Sequence, residues 1–277
     1  MSFIRGALTT SGSERMAVKK VLCRNAASRS GLPGLDWALN PYRGCGHACS
    51  YCYAQDVTRF EMSRPWGETV EVKVNFVQML KKQLEKRPSG TFGLGTVTDP
   101  YQGIEKEFEL TRGSLRELRR TESPVSILTK SDLVLRDTDI LTGWEEAEVG
   151  LSIGTVDDGM ASLLEPGAPS PSRRFKALRD LSASGIRTYV MAAPVIAGVG
   201  DSEESLELLV RATADSGVKR IMWDKFNPKP IAGSRLRAAL ASRSIELGRG
   251  DSVWTSTVRG ILRRECREAG IELLEAF

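Results

Sequence analysis

The sequence predicts an α/β fold, a partial (β/α)6 barrel open on one side. Three observations carry that expectation. Six short β-rich runs lie at residues 38–43, 92–97, 125–129, 148–154, 187–192 and 219–223. Most are apolar on both faces, as strands of a parallel sheet covered by helices must be. Longer segments with helical spacing and recognisable start and stop residues separate them. Strand–helix–strand units joined by right-handed crossovers make a doubly wound sheet or a barrel, and six of them make a partial barrel.

The helical segments justify themselves one by one. Val77, Leu80 and Leu84 share a face, and Pro88 follows as a stop. Ser170 before Pro171 reads as an N-cap with proline at the first helical position. Phe175, Leu178 and Leu181 then form a stripe that Gly185 ends. Asp201 with Glu204 three residues on reads as a capping box ahead of Leu206, Leu209 and a closing Gly217. Residues 1–30 are polar and read as an irregular extension over the main body. Residues 31–277 read as the barrel with a C-terminal helix and strand. A length of 277 residues is routine for one α/β barrel.

Composition narrows the function class little. The chain is 41% hydrophobic with a net charge of +4, which neither demands nor excludes a nucleic-acid partner. No apolar run approaches the ~20 residues of a membrane span, and residues 1–30 lack a signal-peptide core. The expectation is therefore a cytoplasmic protein without a membrane partner. Five cysteines, three of them within eight residues, make a poor disulfide framework. In a reducing compartment such a cluster binds metal or catalyses.

That cluster is the informative segment: Asn40-Pro-Tyr-Arg-Gly-Cys45-Gly-His-Ala-Cys49-Ser-Tyr-Cys52. The spacing is C-x3-C-x2-C. Thiolates are the natural ligands of iron–sulfur clusters, most of which take four. Three leave one iron open, the arrangement by which metal sites activate a small molecule. The competing reading is a zinc site of Cys45, Cys49, Cys52 and His47. His47 stands two residues from both Cys45 and Cys49, a cramped spacing unlike that of zinc fingers.

On these residues the sequence resembles the radical S-adenosylmethionine (SAM) superfamily. Its signature is C-x3-C-x2-C with an aromatic, here Tyr51, before the last cysteine. Asn40-Pro-Tyr-Arg-Gly-Cys45, Thr98-Asp-Pro-Tyr-Gln102, Leu164-Glu-Pro-Gly-Ala-Pro169 and Ala193-Pro-Val-Ile196 are similar to the spore-photoproduct-lyase-like branch, often labelled "DNA repair photolyase". The resemblance implies a partial (β/α)6 barrel and a [4Fe–4S] cluster on Cys45, Cys49 and Cys52. It further implies reductive cleavage of SAM to a hydrogen-abstracting 5′-deoxyadenosyl radical, and a reducing partner such as flavodoxin or ferredoxin.

Site candidates follow from the barrel rule that active sites lie at the C-terminal strand ends. The resemblance places Tyr51 beside the SAM adenine. It places Lys130 and Ser152 on the methionyl part, where an ammonium pairs with a carboxylate and a hydroxyl donates and accepts. It lays the backbone at Val195 and Ile196 against adenine, with Gly198 and Gly200 permitting close approach. Asp99, Tyr101 and Gln102 are expected at the barrel mouth, with Asp99 binding SAM or orienting substrate. Glu165 and Arg173 suit either a SAM contact or an ordinary ion pair.

Substrate chemistry is less legible. The lyase carries a hydrogen-returning cysteine where this chain reads Thr96-Val-Thr-Asp99, and Cys23 and Cys266 lie far off in sequence. The substrate is therefore unidentified, and thymine-dimer repair by the lyase's route is not expected. Trp223, Asp224, Lys225, Phe226 and Asn227 suit base stacking or ordinary edge packing. Arg116, Arg119 and Arg120, with Arg263, Arg264 and Arg267, read as solvated helix faces. The alternative function is a zinc- or cluster-containing nucleic-acid-binding module without SAM chemistry.

Overall fold

The computed structural model describes residues 16–58 and 65–276. The chain begins with β1 (Ala17–Val21), β2 (Ala27–Arg29), β3 (Trp37–Leu39), β4 (Tyr42–Arg43) and α1 (Ala54–Thr58). Next come β5 (Thr69–Lys73), α2 (Phe76–Leu84), β6 (Phe92–Leu94), α3 (Glu105–Phe108), α4 (Leu110–Arg120) and β7 (Val125–Thr129). A 3₁₀ turn (Asp132–Asp137) leads to α5 (Thr138–Leu141), β8 (Ala147–Ser152), α6 (Asp158–Leu164), α7 (Pro171–Ala183) and β9 (Arg187–Val195). The chain closes with α8 (Glu203–Asp215), β10 (Arg220–Lys225), α9 (Pro230–Ala241), α10 (Ser252–Glu268) and β11 (Glu272–Glu275).

Eight strands form one sheet in the order β11-β10-β9-β8-β7-β6-β3-β2. The six strands from β3 to β10 run parallel in sequential order, so every crossover puts its helices on the same side. These are the six units expected from the sequence. β2 adds antiparallel at one edge and β11 parallel at the other. The core lies between sheet and helices: Leu39, Ile127, Val149, Val190 and Ile221 from strands meet Leu80, Leu115, Leu178, Leu209 and Leu262 from helices. Each such side chain, fully buried, contributes about 1.5–3 kcal/mol. No helix among the described residues is long and apolar enough to cross a membrane.

Three details differ from expectation. Residues 17–21 and 27–29, read as irregular, are strands: β1 and β4 flank β5 in a second, three-stranded sheet, and β2 joins the main one. They carry no apolar run or alternation to mark them: Val18, Lys19 and Lys20 of β1 are all exposed, as are Ser28 and Arg29 of β2. Residues 1–15 of the expected extension lie outside the described residues. Second, the run 38–43 breaks into β3 and β4 at Asn40-Pro41. Proline has no N–H for the ladder, and the Asn40 side chain turns aside, donating to Thr96 Oγ1 at 2.8 Å and accepting from Val97 N at 3.2 Å. Third, the cap of α8 is Ser202, which accepts from Ser205 N. Asp201 instead accepts from Gly198 N and Trp254 Nε1.

Gly95 ends β6 at φ 97°, a conformation in which a Cβ would stand 2.2 Å from the Leu128 carbonyl oxygen of β7. The chain therefore turns toward the sheet's C-terminal edge only because this residue has no side chain. Gly95→Ala is expected to cost about 2 kcal/mol or more, read as a lowered urea midpoint with an unchanged m-value.

Candidate functional site

The cysteine loop leaves β4 two residues before Cys45 and ends at α1. It is held from three sides by backbone contacts that its sequence neighbours do not supply. From beyond β6, Thr98 Oγ1 donates to Gly44 O at 2.7 Å. Gln102 donates to Gly44 O and accepts from Gly46 N at 2.8 Å. From beyond β8, Leu164 O accepts from Ser50 N at 2.8 Å, and His47 O accepts from Gly167 N at 3.0 Å. A Cβ on Gly167 would fall 2.1 Å from Gly46 O, so only glycine lets these two loops touch. The segment Leu164-Glu-Pro-Gly-Ala-Pro169 is thus the clamp of the cysteine loop. From α9, Arg235 donates to the Cys52 carbonyl.

The three thiols are buried or half-buried. Burial first, then Asp99 and Cys52, pushes Cys45 up to about 12. Burial raises Cys49 well above its usual value and raises Cys52 as well. Cys45, Cys49 and Cys52 act on one another electrostatically, so they share one small region. A cationic metal centre must displace their protons, and loading it is therefore pH-dependent. Among the described residues no three His, Cys, Asp or Glu side chains converge on a single-ion position. His47 Nδ1 lies 3.3 Å from Asp99 Oδ2, so that nitrogen faces a carboxylate. Three thiols on one loop are the donor type that an iron–sulfur cluster takes.

The facing wall comes from the strand ends. Asp99, after β6, accepts from Thr129 Oγ1 at 2.7 Å, Lys130 N at 2.8 Å and Tyr101 N at 2.8 Å. Burial alone would raise its carboxyl; His47, Thr129 and Lys130 N–H overrule that and hold it at about 2. Lys130, after β7, donates through Nζ to Ser152 Oγ of β8 at 3.0 Å and sits over the Tyr51 ring, 5.5 Å from its centroid. Ser152 Oγ in turn donates to Ala193 O at 3.0 Å. The expected cofactor residues Tyr51, Lys130, Ser152 and Asp99 are thus brought together beside the cysteines.

Glu165 joins them, 4% exposed, with a partner the sequence did not reveal. It accepts from the Tyr51 hydroxyl and from Arg174, and lies 4.0 Å from Lys130 Nζ. Arg173, the expected partner, pairs with Asp132 at 2.5 Å on the surface. Arg174 is 1% exposed and also donates to Ser152 O and Pro169 O. Burial pushes the Glu165 carboxyl up against the pull of Arg174. Helical spacing could have pointed to Arg174, since it falls on the buried face with Phe175, Leu178 and Leu181.

A cleft beside this group is lined by Tyr51, Gly154, Glu165, Pro194, Ile196 and Val199. Ile196 packs with Cys49 and Tyr51, whereas the Val195 side chain belongs to the main core and its carbonyl accepts from Phe226 N. Gly198 approaches the backbone of residues 246–248 rather than the cleft. Tyr101 is fully buried and turns away to Asp137 at 3.0 Å. Trp223 is core, covered by Arg259, and Asp224 bonds Asn227, so this edge packs rather than offering a stacking face. Arg119 lies over Trp144, while Arg120 and Arg264 pair with glutamates. Cys266 is buried in α10, and Cys23 shares backbone bonds with Asn75.

Residues 39–210 match the model of the Radical SAM superfamily. An uncharacterized protein of Methanocaldococcus jannaschii is 35% identical over 69% of this chain and 72% of its own length. An uncharacterized protein of Mycobacterium tuberculosis is 34% identical over 72% of this chain, and the match spans 62% of it. Spore photoproduct lyase, solved with dinucleoside spore photoproduct, superposes with a TM-score of 0.72 over 94% of this chain and 82% of its own, at 17% identity. Streptococcus suis SuiB bound to S-adenosylmethionine superposes at 0.58 over 86% of this chain and 49% of its own, at 13% identity. At these identities the likeness establishes the fold, the partial (β/α)6 barrel.

Removing Arg174 strands a buried carboxylate. Arg174→Leu is expected to cost about 3–5 kcal/mol, and Arg174→Leu combined with Glu165→Gln should recover much of it; urea unfolding of the four proteins checks this. Asp99, held low when folded, stabilises the chain above about pH 4, and that contribution drains away as pH falls toward about 2. Between pH 6 and 3, metal-free wild type should lose about 1 kcal/mol more stability than Asp99→Asn.

Proposed function

The chain belongs to the radical SAM superfamily, and from that premise we propose that it cleaves S-adenosylmethionine reductively and takes hydrogen from an as yet unidentified substrate. The single observation that carries the reading is the meeting of Lys130, Ser152, Tyr51 and Glu165 beside Cys45, Cys49 and Cys52 at the strand ends. Those three cysteines would hold a [4Fe–4S] cluster, which when bound supplies one electron and one iron open to the cofactor's amino and carboxylate groups.

The chain's own residues do the rest. Lys130 offers an ammonium to the methionyl carboxylate, and Glu165, 4.0 Å away, keeps it aimed into the site. Ser152, whose proton is committed to Ala193 O, presents its remaining lone pair to the cofactor's amino group. Tyr51, fixed through its hydroxyl by Glu165, and Ile196 give adenine two faces of the cleft. Cys49, Tyr51, Leu164, Ile196, Val199, Leu236 and Leu240 form an apolar shell that keeps water from the reacting atoms.

A lyase of this fold has been solved with a dinucleoside lesion, which makes a nucleic-acid-derived substrate a natural one to try. Thr96, Val97 and Thr98 carry no thiol, and Cys23 and Cys266 are held elsewhere, so a product radical finds no cysteine here to return hydrogen. The reaction of this chain then differs from thymine-dimer repair in its last step.

Anaerobically reconstituted protein is expected to show broad visible absorption near roughly 400 nm and, with dithionite and SAM, to release 5′-deoxyadenosine. Cys49→Ala should abolish both. Lys130→Ala should keep the absorption and weaken SAM binding about tenfold, or about 1.4 kcal/mol. Zinc in place of iron, with salt-dependent nucleic-acid binding and no SAM turnover, would return the binding-module reading.

A further inference from the structure

Arg235 on α9 is half-buried against the outer side of the cysteine loop. Its Nη2 donates to the Cys52 carbonyl and its Nη1 to Gln55 Oε1 at 3.1 Å, while the Trp66 ring lies 5.2 Å from the guanidinium carbon. The helix that carries it cannot drift. Asp56 of α1, just past the loop, accepts from Ile231 N at 3.0 Å and Ala232 N at 3.1 Å and so caps α9. Loop exit and arginine are thereby one rigid unit.

The charge itself is unanswered. Among the described residues Arg235 forms no ion pair, and its buried Nε–H meets no acceptor. A half-buried guanidinium with a buried spare donor and no ion-pair partner is costly unless an anion completes the site. Asp56, the acid that acts on it from α1, is spent on α9. What it touches on the loop is the backbone of Cys52, one of the three cluster-ligand candidates.

We propose that Arg235 is the electrostatic partner of the loaded cysteine loop and raises the reduction potential of the cluster bound there. The inference rests on the cluster reading above. Three thiolates and a cluster carry net negative charge, and reduction by one electron, taken from dithionite in the titration, makes it more negative. A fixed cation bonded to the backbone of a cysteine ligand, with a buried N–H donor to spare, favours that reduced form. Arg235 acts through the loop, by way of the Cys52 carbonyl, as a positioning and tuning residue.

The test is a spectroelectrochemical titration of anaerobically reconstituted wild type, Arg235→Gln and Arg235→Lys, followed by visible absorbance and by the EPR signal of the reduced cluster. Arg235→Gln should shift the reduction equilibrium about tenfold toward the oxidised form, about 59 mV for one electron. Arg235→Lys keeps the charge and should stay within about threefold of wild type. An unmoved potential in Arg235→Gln overturns the proposal, as does a lysine variant that falls by tenfold or more. The lysine arm stands by itself if Arg235→Gln holds no cluster. Iron and sulfide analysis of wild type separates the two levels: no cluster in wild type sinks the cluster reading, whereas a loaded wild type with unmoved variants sinks only the role of Arg235.

Discussion

A carboxylate taken out of water has to be answered, and the answer given to Glu165 organises this molecule. Arg174 neutralises it from α7, the Tyr51 hydroxyl reaches it from the cysteine loop, and Lys130 approaches from the end of β7. Arg174 also bonds the Ser152 and Pro169 carbonyls. One buried ion pair therefore ties together the loop, two strand ends and a helix. A hydrophobic substitute could pack as well, but it could not set the direction of an ammonium and a phenol at once.

The same economy appears at Asp99. Its oxygens take N–H and O–H donors from the end of β7 and from its own turn, and its charge faces His47 in the cysteine loop. Together with Thr98 and Gln102, which read the loop's backbone at Gly44 and Gly46, it makes the turn after β6 a second clamp. The loop's own backbone bonds are two turns, from Ala48 N to Cys45 O and from Cys52 N to Cys49 O. Neighbouring turns supply what its own backbone cannot, at the cost of two positions, Gly95 and Gly167, where no side chain fits.

Much of this was legible from residues alone, and the limits are instructive. The six parallel strands could be read because strands buried on both faces announce themselves as apolar runs. The cysteine spacing and Tyr51 carried their chemistry openly. Lys130, Ser152 and Asp99 could be placed because strand ends of such a barrel face one side. Arg174 could not be told from Arg173 by type. Helix phase alone separates them by about 100°, turning one inward to Glu165 and leaving the other on the surface with Asp132. Likewise the break at Asn40-Pro41 was hidden because a side chain, not the backbone pattern, ends that strand.

The sequence by itself determined the repeating strand–helix order, the thiol trio and the residue types at the strand ends, because these depend on local periodicity and on close spacing along the chain. Only the tertiary structure decided which charges meet. Glu165 chooses Arg174, Asp56 caps a helix 175 residues away, and Arg235 comes to rest beside Cys52 without an acid of its own. The physical reason is that Coulomb and hydrogen-bond energies depend on distance in space and on burial, and neither quantity is written in the order of the residues.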